Sequence, residues 1–178
     1  ESYKEKGYHS VAVSDSLTTD PETRSLVLIY VVEEGEKVSV KHIDFIGVQA
    51  LDTDQIRKKL KTKEDNWFRG GDFKPSEFEQ DQNIILTGYR EVGFLDARIV
   101  DKEMIFSEDG KDLDIFITIE EGKRYYVGDL AWGGNELFAD TVIARIATME
   151  RGEIFNDTRF ALIRDDISAM YADRGYIY

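Results

Sequence analysis

The side chains best able to do chemistry are few and scattered. His9 and His42 are the only histidines. No nucleophile stands at a recognisable spacing from either, so each reads as an ordinary strand residue and not as a general acid or base. Asp157, Asp165 and Asp166 fall on one expected helix and could offer carboxylates to a cation. The other side of that helix is apolar, however, and a solvated acidic face fits the same pattern. Asp109-Gly110 and Asp112 share part of a calcium-loop spacing but lack the later glutamate, so a hairpin turn is the better account. Gly70-Gly71 and Gly133-Gly134 have no Lys-Ser/Thr sequel and are not phosphate loops. With no cysteine there is neither a disulfide framework nor a thiolate metal site. The expectation is a protein without catalytic residues, metal or cofactor.

Charge narrows the partners. The chain has 178 residues, 23 Lys and Arg against 36 Asp and Glu, and a net charge of −13. Phosphate contacts need clustered cations, so nucleic acid and anionic membrane surfaces are poor partners, and proteins are better ones. No stretch approaches the roughly 18 apolar residues of a membrane helix. Glu1 opens in mid-helix with no visible signal peptide, which suggests an excised piece.

Repetition organises the chain. Tyr89-Arg90-Glu91-Val92-Gly93-Phe94 has cousins in Tyr3-Lys4-Glu5-Lys6-Gly7-Tyr8 and Tyr171-Ala172-Asp173-Arg174-Gly175-Tyr176. Each reads as the last turn of a helix stopped by glycine, with the following aromatic leading toward the next strand. Val31-Val32-Glu33-Glu34-Gly35 returns as Thr118-Ile119-Glu120-Glu121-Gly122. Two separate marks with nearly the same period argue for repeated units. The expected boundaries are 1–35, 36–122 and 123–178, with Glu34-Gly35 and Glu121-Gly122 as the joints.

Periodicity then assigns the elements. Strands are expected at 9–16 and 26–33, the second apolar on both faces and therefore central in its sheet. The complete unit starts with a strand at 38–46. A short helix follows at 53–60, capped by Asp52 with Gln55 placed as in a capping box. A loop carries Trp67 and Phe68, and a long helix begins at Pro75 with Phe78, Ile85, Tyr89 and Val92 as its apolar stripe. Strands at 95–106 and 113–120 close the unit around an Asp-Gly turn. The third unit repeats the order with a strand at 125–132, a helix at 140–147 and a long helix capped by Asn156. The fold class is α+β: tandem β-α-α-β-β units, each a three-stranded mixed sheet covered by two helices.

This order resembles the POTRA repeats of the BamA family of outer-membrane protein assembly factors. The residues that carry the resemblance are Ile43-Asp44-Phe45-Ile46-Gly47, Leu130-Ala131-Trp132-Gly133-Gly134-Asn135, the three Tyr-x-x-x-Gly-aromatic segments and Gly152-Glu153-Ile154-Phe155-Asn156. Val48 departs from the pattern where the family often has the Asn seen at Asn135. The Trp67-Phe68 loop is similar to the enlarged loop of the family's third repeat. The chain would thus hold the end of repeat two, all of repeat three and the start of repeat four.

The resemblance implies a periplasmic scaffold that binds unfolded outer-membrane proteins and accessory lipoproteins, touching the membrane only through a barrel absent from this sequence. Two helices make a round trip, so the first strand of a unit should run parallel to the last, with the strand after the long helix at an edge. An incoming segment could pair there by β-augmentation. The candidate edge residues are His9, Val11 and Val13, and Asp96, Arg98, Val100 and Lys102. The competing reading is a solvated edge protected by charges including Asp101 and Glu103. Trp67 and Phe68 either contact a partner or fold back on their own core. A mainly structural array serving one dedicated partner of a related secretion transporter is the alternative function. The end units each leave apolar surface uncovered, which in a crystal would let molecules cover one another.

Overall fold

The computed structural model describes residues 3–67 and 70–176. Its centre is a three-stranded sheet made by β3 (Ser39–Ile46), β4 (Arg98–Phe106) and β5 (Asp112–Glu120), in the order β3-β5-β4. It is preceded by a two-stranded hairpin of β1 (Ala12–Asp20) and β2 (Ser25–Glu33). In the central sheet β5 pairs in parallel with β3 and antiparallel with β4, as the round trip through two helices requires.

Helix α1 (Thr53–Lys59) starts where the Asp52 carboxylate accepts the Asp54 N–H at 2.9 Å. Helix α2 (Pro75–Glu91) has proline in its first turn, where the missing N–H leaves no bond unmade. Phe78, Ile85 and Tyr89 of α2 are buried, with Val92 half-buried at its end. They pack with Ile56 and Leu60 on Leu113, Ile115, Ile117 and Ile119, the alternating inner face of β5. Asp81 lies on the same stripe and is fully buried. It accepts the N–H groups of Lys61 (2.5 Å) and Thr62 (2.8 Å), so the carboxylate closes the exit of α1.

The third unit holds α3 (Asp140–Ile146) and α4 (Asp157–Ala172), the latter capped by Asn156 accepting the Arg159 N–H at 2.8 Å. Three expectations are corrected. Residues 125–132 form no strand; a bridge from Tyr126 to Ile154 is their ladder contact, and no strand of the described residues pairs with them. β2 is paired on one side by β1 and is not central, although both of its faces are apolar and exposed. β1 begins at Ala12, leaving His9 and Val11 ahead of it.

Candidate functional site: a free strand edge and the joints beside it

The central sheet has two edges, and the structure treats them differently. The outer side of β3 is occupied by its own chain. Val40 N donates to Gly71 O (2.8 Å) and Val40 O accepts Asp65 N (2.7 Å). Val38 O accepts Phe73 N (2.8 Å), and Val38 N donates to Gly7 O (2.9 Å). Further along, Ile43 N donates to the Glu64 carboxylate at 2.9 Å, and Arg57 Nη2 donates to Ile43 O at 2.6 Å. The long loop between α1 and α2 therefore seals this margin, which removes it as a pairing template.

β4 is different. At its turn, Ser107 N donates to Asp112 O (3.0 Å). Antiparallel ladders alternate, so the N–H and C=O groups of Phe106, Met104 and Lys102 point away from β5. The Lys102 N–H is taken by the adjacent Asp101 carboxylate at 2.8 Å, which agrees with that alternation. A bulge between Ile99 and Asp101 leaves Val100 as the extra residue. Bulge and carboxylate together blunt one half of the edge, while Met104 to Phe106 stays open. Ile105 and Phe106 are exposed beside it.

The expected edge residues distribute accordingly. Lys102 is on the free margin, with its Nζ donating to Gln82 of α2 at 2.9 Å. Arg98 pairs across the ladder with Glu120. Val100 is the bulge residue, and Val13 is an exposed residue of β1. Asp96 lies ahead of β4 and accepts the Tyr125 hydroxyl at 2.7 Å, so it belongs to a joint. His9 packs on Phe73 with ring centroids 5.3 Å apart. Trp67 is 94% exposed, which rules out folding onto the core for that side chain; Phe68 lies outside the described residues. Met104 and Phe106, the two open positions, were missed because only the pairing phase of the ladder identifies them.

The two joints are built alike. The aromatics of each helix end meet edge to face at 6.1 Å, for Tyr3 with Tyr8 and for Tyr89 with Phe94. Lys37 sits over Tyr8 at 5.7 Å, and Arg124 over Phe94 at 4.8 Å. Gly7 O accepts Val38 N (2.9 Å), just as Gly93 O accepts Tyr125 N (2.8 Å). A hydrogen bond to Glu34 raises the hydroxyl pKa of Tyr3. In the second joint, burial and then a hydrogen bond to Glu121 raise that of Tyr89. The Glu121 carboxyl is held below its ordinary value: burial pushes it up, but the N–H groups of Ala50 and Gln49, the Tyr89 hydroxyl and Arg124 outweigh burial. Gly35 and Gly122 follow these glutamates with φ of 71° and 76°.

Among the described residues no group of three or more His, Asp or Glu side chains could hold a metal ion, and no helix is long and apolar enough to cross a membrane.

The POTRA family, described as surface antigen variable number repeat, matches residues 38–122 and 125–178. A putative outer membrane protein assembly factor of Treponema pallidum is 28% identical over 98% of this chain and 21% of its own length. The outer membrane protein assembly factor BamA of Nitratidesulfovibrio vulgaris is 26% identical over 100% of this chain and 23% of its own length. The chain thus spans less than a quarter of these two relatives. The crystal structure of Haemophilus influenzae BamA POTRA3-5 superposes with a TM-score of 0.59 at 20% identity, covering 99% of this chain and 66% of that one, and shares the fold. The chain belongs to the POTRA family, and its repeats are of the BamA kind.

Proposed function

We propose that this chain is a non-catalytic scaffold of the outer-membrane protein assembly machinery, working in the periplasm and receiving unfolded outer-membrane polypeptides by strand addition to β4. The observation that carries the reading is the contrast between the margins: β3 is closed by the chain's own loop, while Met104 and Phe106 offer outward donors and acceptors. Main-chain pairing makes little demand on client sequence, which suits a receiver of many different strands. The exposed Trp67 supplies a separate contact for an accessory lipoprotein, since tryptophan is enriched among the few side chains that carry most of an interface's binding energy.

Phe106→Pro tests it, because that side chain is exposed. Proline at a position whose N–H faces outward removes a docking donor but no bond to β5. Binding of a peptide copied from an outer-membrane β-strand is expected to fall about tenfold, the loss of roughly 1.4 kcal/mol, with melting of the central unit retained. Asp101→Ala frees the Lys102 N–H and should strengthen binding. Unchanged affinity in both variants, with the fold intact, would sink the reading. A peptide array then separates it from a structural array with one partner, which would show a single preferred sequence.

A further inference from the structure

A basic stretch of this acidic chain stands beside the exposed Trp67. Five of the seven residues from Arg57 to Lys63 are cations, in a chain whose net charge is −13. A helix end draws some positive charge to itself, because its last carbonyls carry the negative pole of the dipole. Lys63 meets that demand: its Nζ donates to Lys58 O at 2.9 Å and to Arg57 O at 3.3 Å, in the last turn of α1. The other cations exceed it, and their pairing divides them. Arg57 lies 3.4 Å from both Asp54 and Glu64 and 3.6 Å from Asp44, and Lys59 lies 3.9 Å from Glu91. Among the described residues, Lys58, Lys61 and Lys63 have no carboxylate within 4 Å. The Lys61 ammonium donates to the neutral side chain of Gln80.

Two hollows bring these lysines to the α1-α2 loop. The first is lined by Arg57, Lys58 and Lys63 together with Asn66, the residue before Trp67. The second is lined by Lys61, Lys63 and Lys74 together with Gly70. Lys63 belongs to both. The carboxylates that share these hollows are already taken, Asp54 and Glu64 by Arg57, Asp72 by Lys37 and Glu77 by Lys74. The charge left over beside Asn66 and Gly70 is therefore positive. The backbone there is also held in place: Asp65 N donates to Val40 O at 2.7 Å, and Gly71 O accepts Val40 N at 2.8 Å. Fixed chain thus stands two residues before Trp67 and directly after Gly70.

Resting on the reading of Trp67 as a partner contact, we propose that the protein bound there is acidic. Trp67 enters an apolar hollow of that partner, and Asp or Glu side chains on the rim of the hollow meet Lys58, Lys61 and Lys63. A covered tryptophan supplies the affinity, while charges at the rim set the rate of encounter and the choice of partner. The small size of the patch selects a protein over other polyanions. Nucleic acid or an anionic bilayer spreads its charge over a wider area, so it would also face the acids around the lysines, within a screening length of about 8 Å at physiological salt. A rim of carboxylates touches the lysines alone.

Photo-crosslinking in cells tests this, with p-benzoylphenylalanine at Gly70, where an added Cβ meets nothing within 4 Å and Trp67 is kept. The crosslinker should attach to a protein, at a site set among Asp and Glu residues. Lys58→Glu combined with Lys61→Glu, both at exposed positions, should cut the yield by about tenfold with melting unchanged. Lys58→Arg combined with Lys61→Arg should keep it. Changing the partner's carboxylates to lysine should restore the yield of the reversed form. An equal yield before and after reversal overturns the acidic partner and leaves Trp67 as a contact of another kind. No protein crosslink from a folded chain overturns both readings. Lysine-dependent binding to phosphatidylglycerol vesicles in place of a protein crosslink overturns the proposal in favour of a membrane.

Discussion

One carboxylate oxygen, Oε1 of Glu121, receives the N–H groups of Gln49 (2.7 Å) and Ala50 (2.8 Å) and the hydroxyl of Tyr89 (2.9 Å). All three donors favour the ionised form, which is why its pKa stays depressed despite partial burial. A folded value below the unfolded one gives stability that is complete above the ordinary 4.5 and disappears as pH falls through the folded value. Glu121→Gln should cost about 1–3 kcal/mol near neutrality, as for hydrogen bonds to a charge. In urea titrations the gap between variant and wild type should narrow as pH drops below 4.5, because the wild-type carboxyl then protonates as well. A gap independent of pH would mean that shape, not charge, holds this corner. The sequence places Glu121 at a joint through the Glu-Glu-Gly repeat, but two of the three donors it gathers come from a turn some 70 positions away. Asp81 was harder still to see. Its sign was available, an acid three residues after Phe78 and four before Ile85 on an apolar stripe, yet its role depends on where α1 ends.

At the scale of elements, the pattern of apolar periods and glycine stops locates the helices and the central strands to within a few residues, and the round-trip argument yields the sheet order. Strand status at 125–132 was not legible from its own residues, because a strand exists only with a neighbour to bond. The sealing of β3 was hidden for a similar reason: the added length of the α1-α2 loop is visible in the sequence, whereas its pairing with Val40 is not. Gly71 makes that pairing possible, since a Cβ there would meet Asp65 N and Lys63 O, both at 2.4 Å. Gly71→Ala should push the loop outward and cost roughly 1–3 kcal/mol, the usual penalty of overpacking. Hydrogen exchange should speed up at the Val40 amide, which donates to Gly71 O, but not in the middle of β5. Equal protection at Val40 in both proteins would show that the loop does not depend on the close approach.

On the scale of the whole molecule, the repeated joints imply repeated orientation. The same aromatic pair, cation over the ring and glycine carbonyl recur on both sides of the central unit. Units joined by several short, directional contacts should turn by a similar step each time, as in other linear arrays. Gly122 is a tight point of the second joint, with φ of 76° and a would-be Cβ 2.9 Å from the Asp96 Cβ. Alanine there would combine an unfavourable left-handed backbone with a clash, and both are relieved if the joint opens. Paired spin labels on α2 and α4 read that opening directly. A single narrow distance is expected for the wild type, and a broader distribution for Gly122→Ala, while the buried core around Val40 and Leu113, at the far end of β5 from the substitution, keeps its melting transition. A broad distribution already present in the wild type would mean that the joint contacts form without fixing the angle, and the array would then behave as units on flexible tethers.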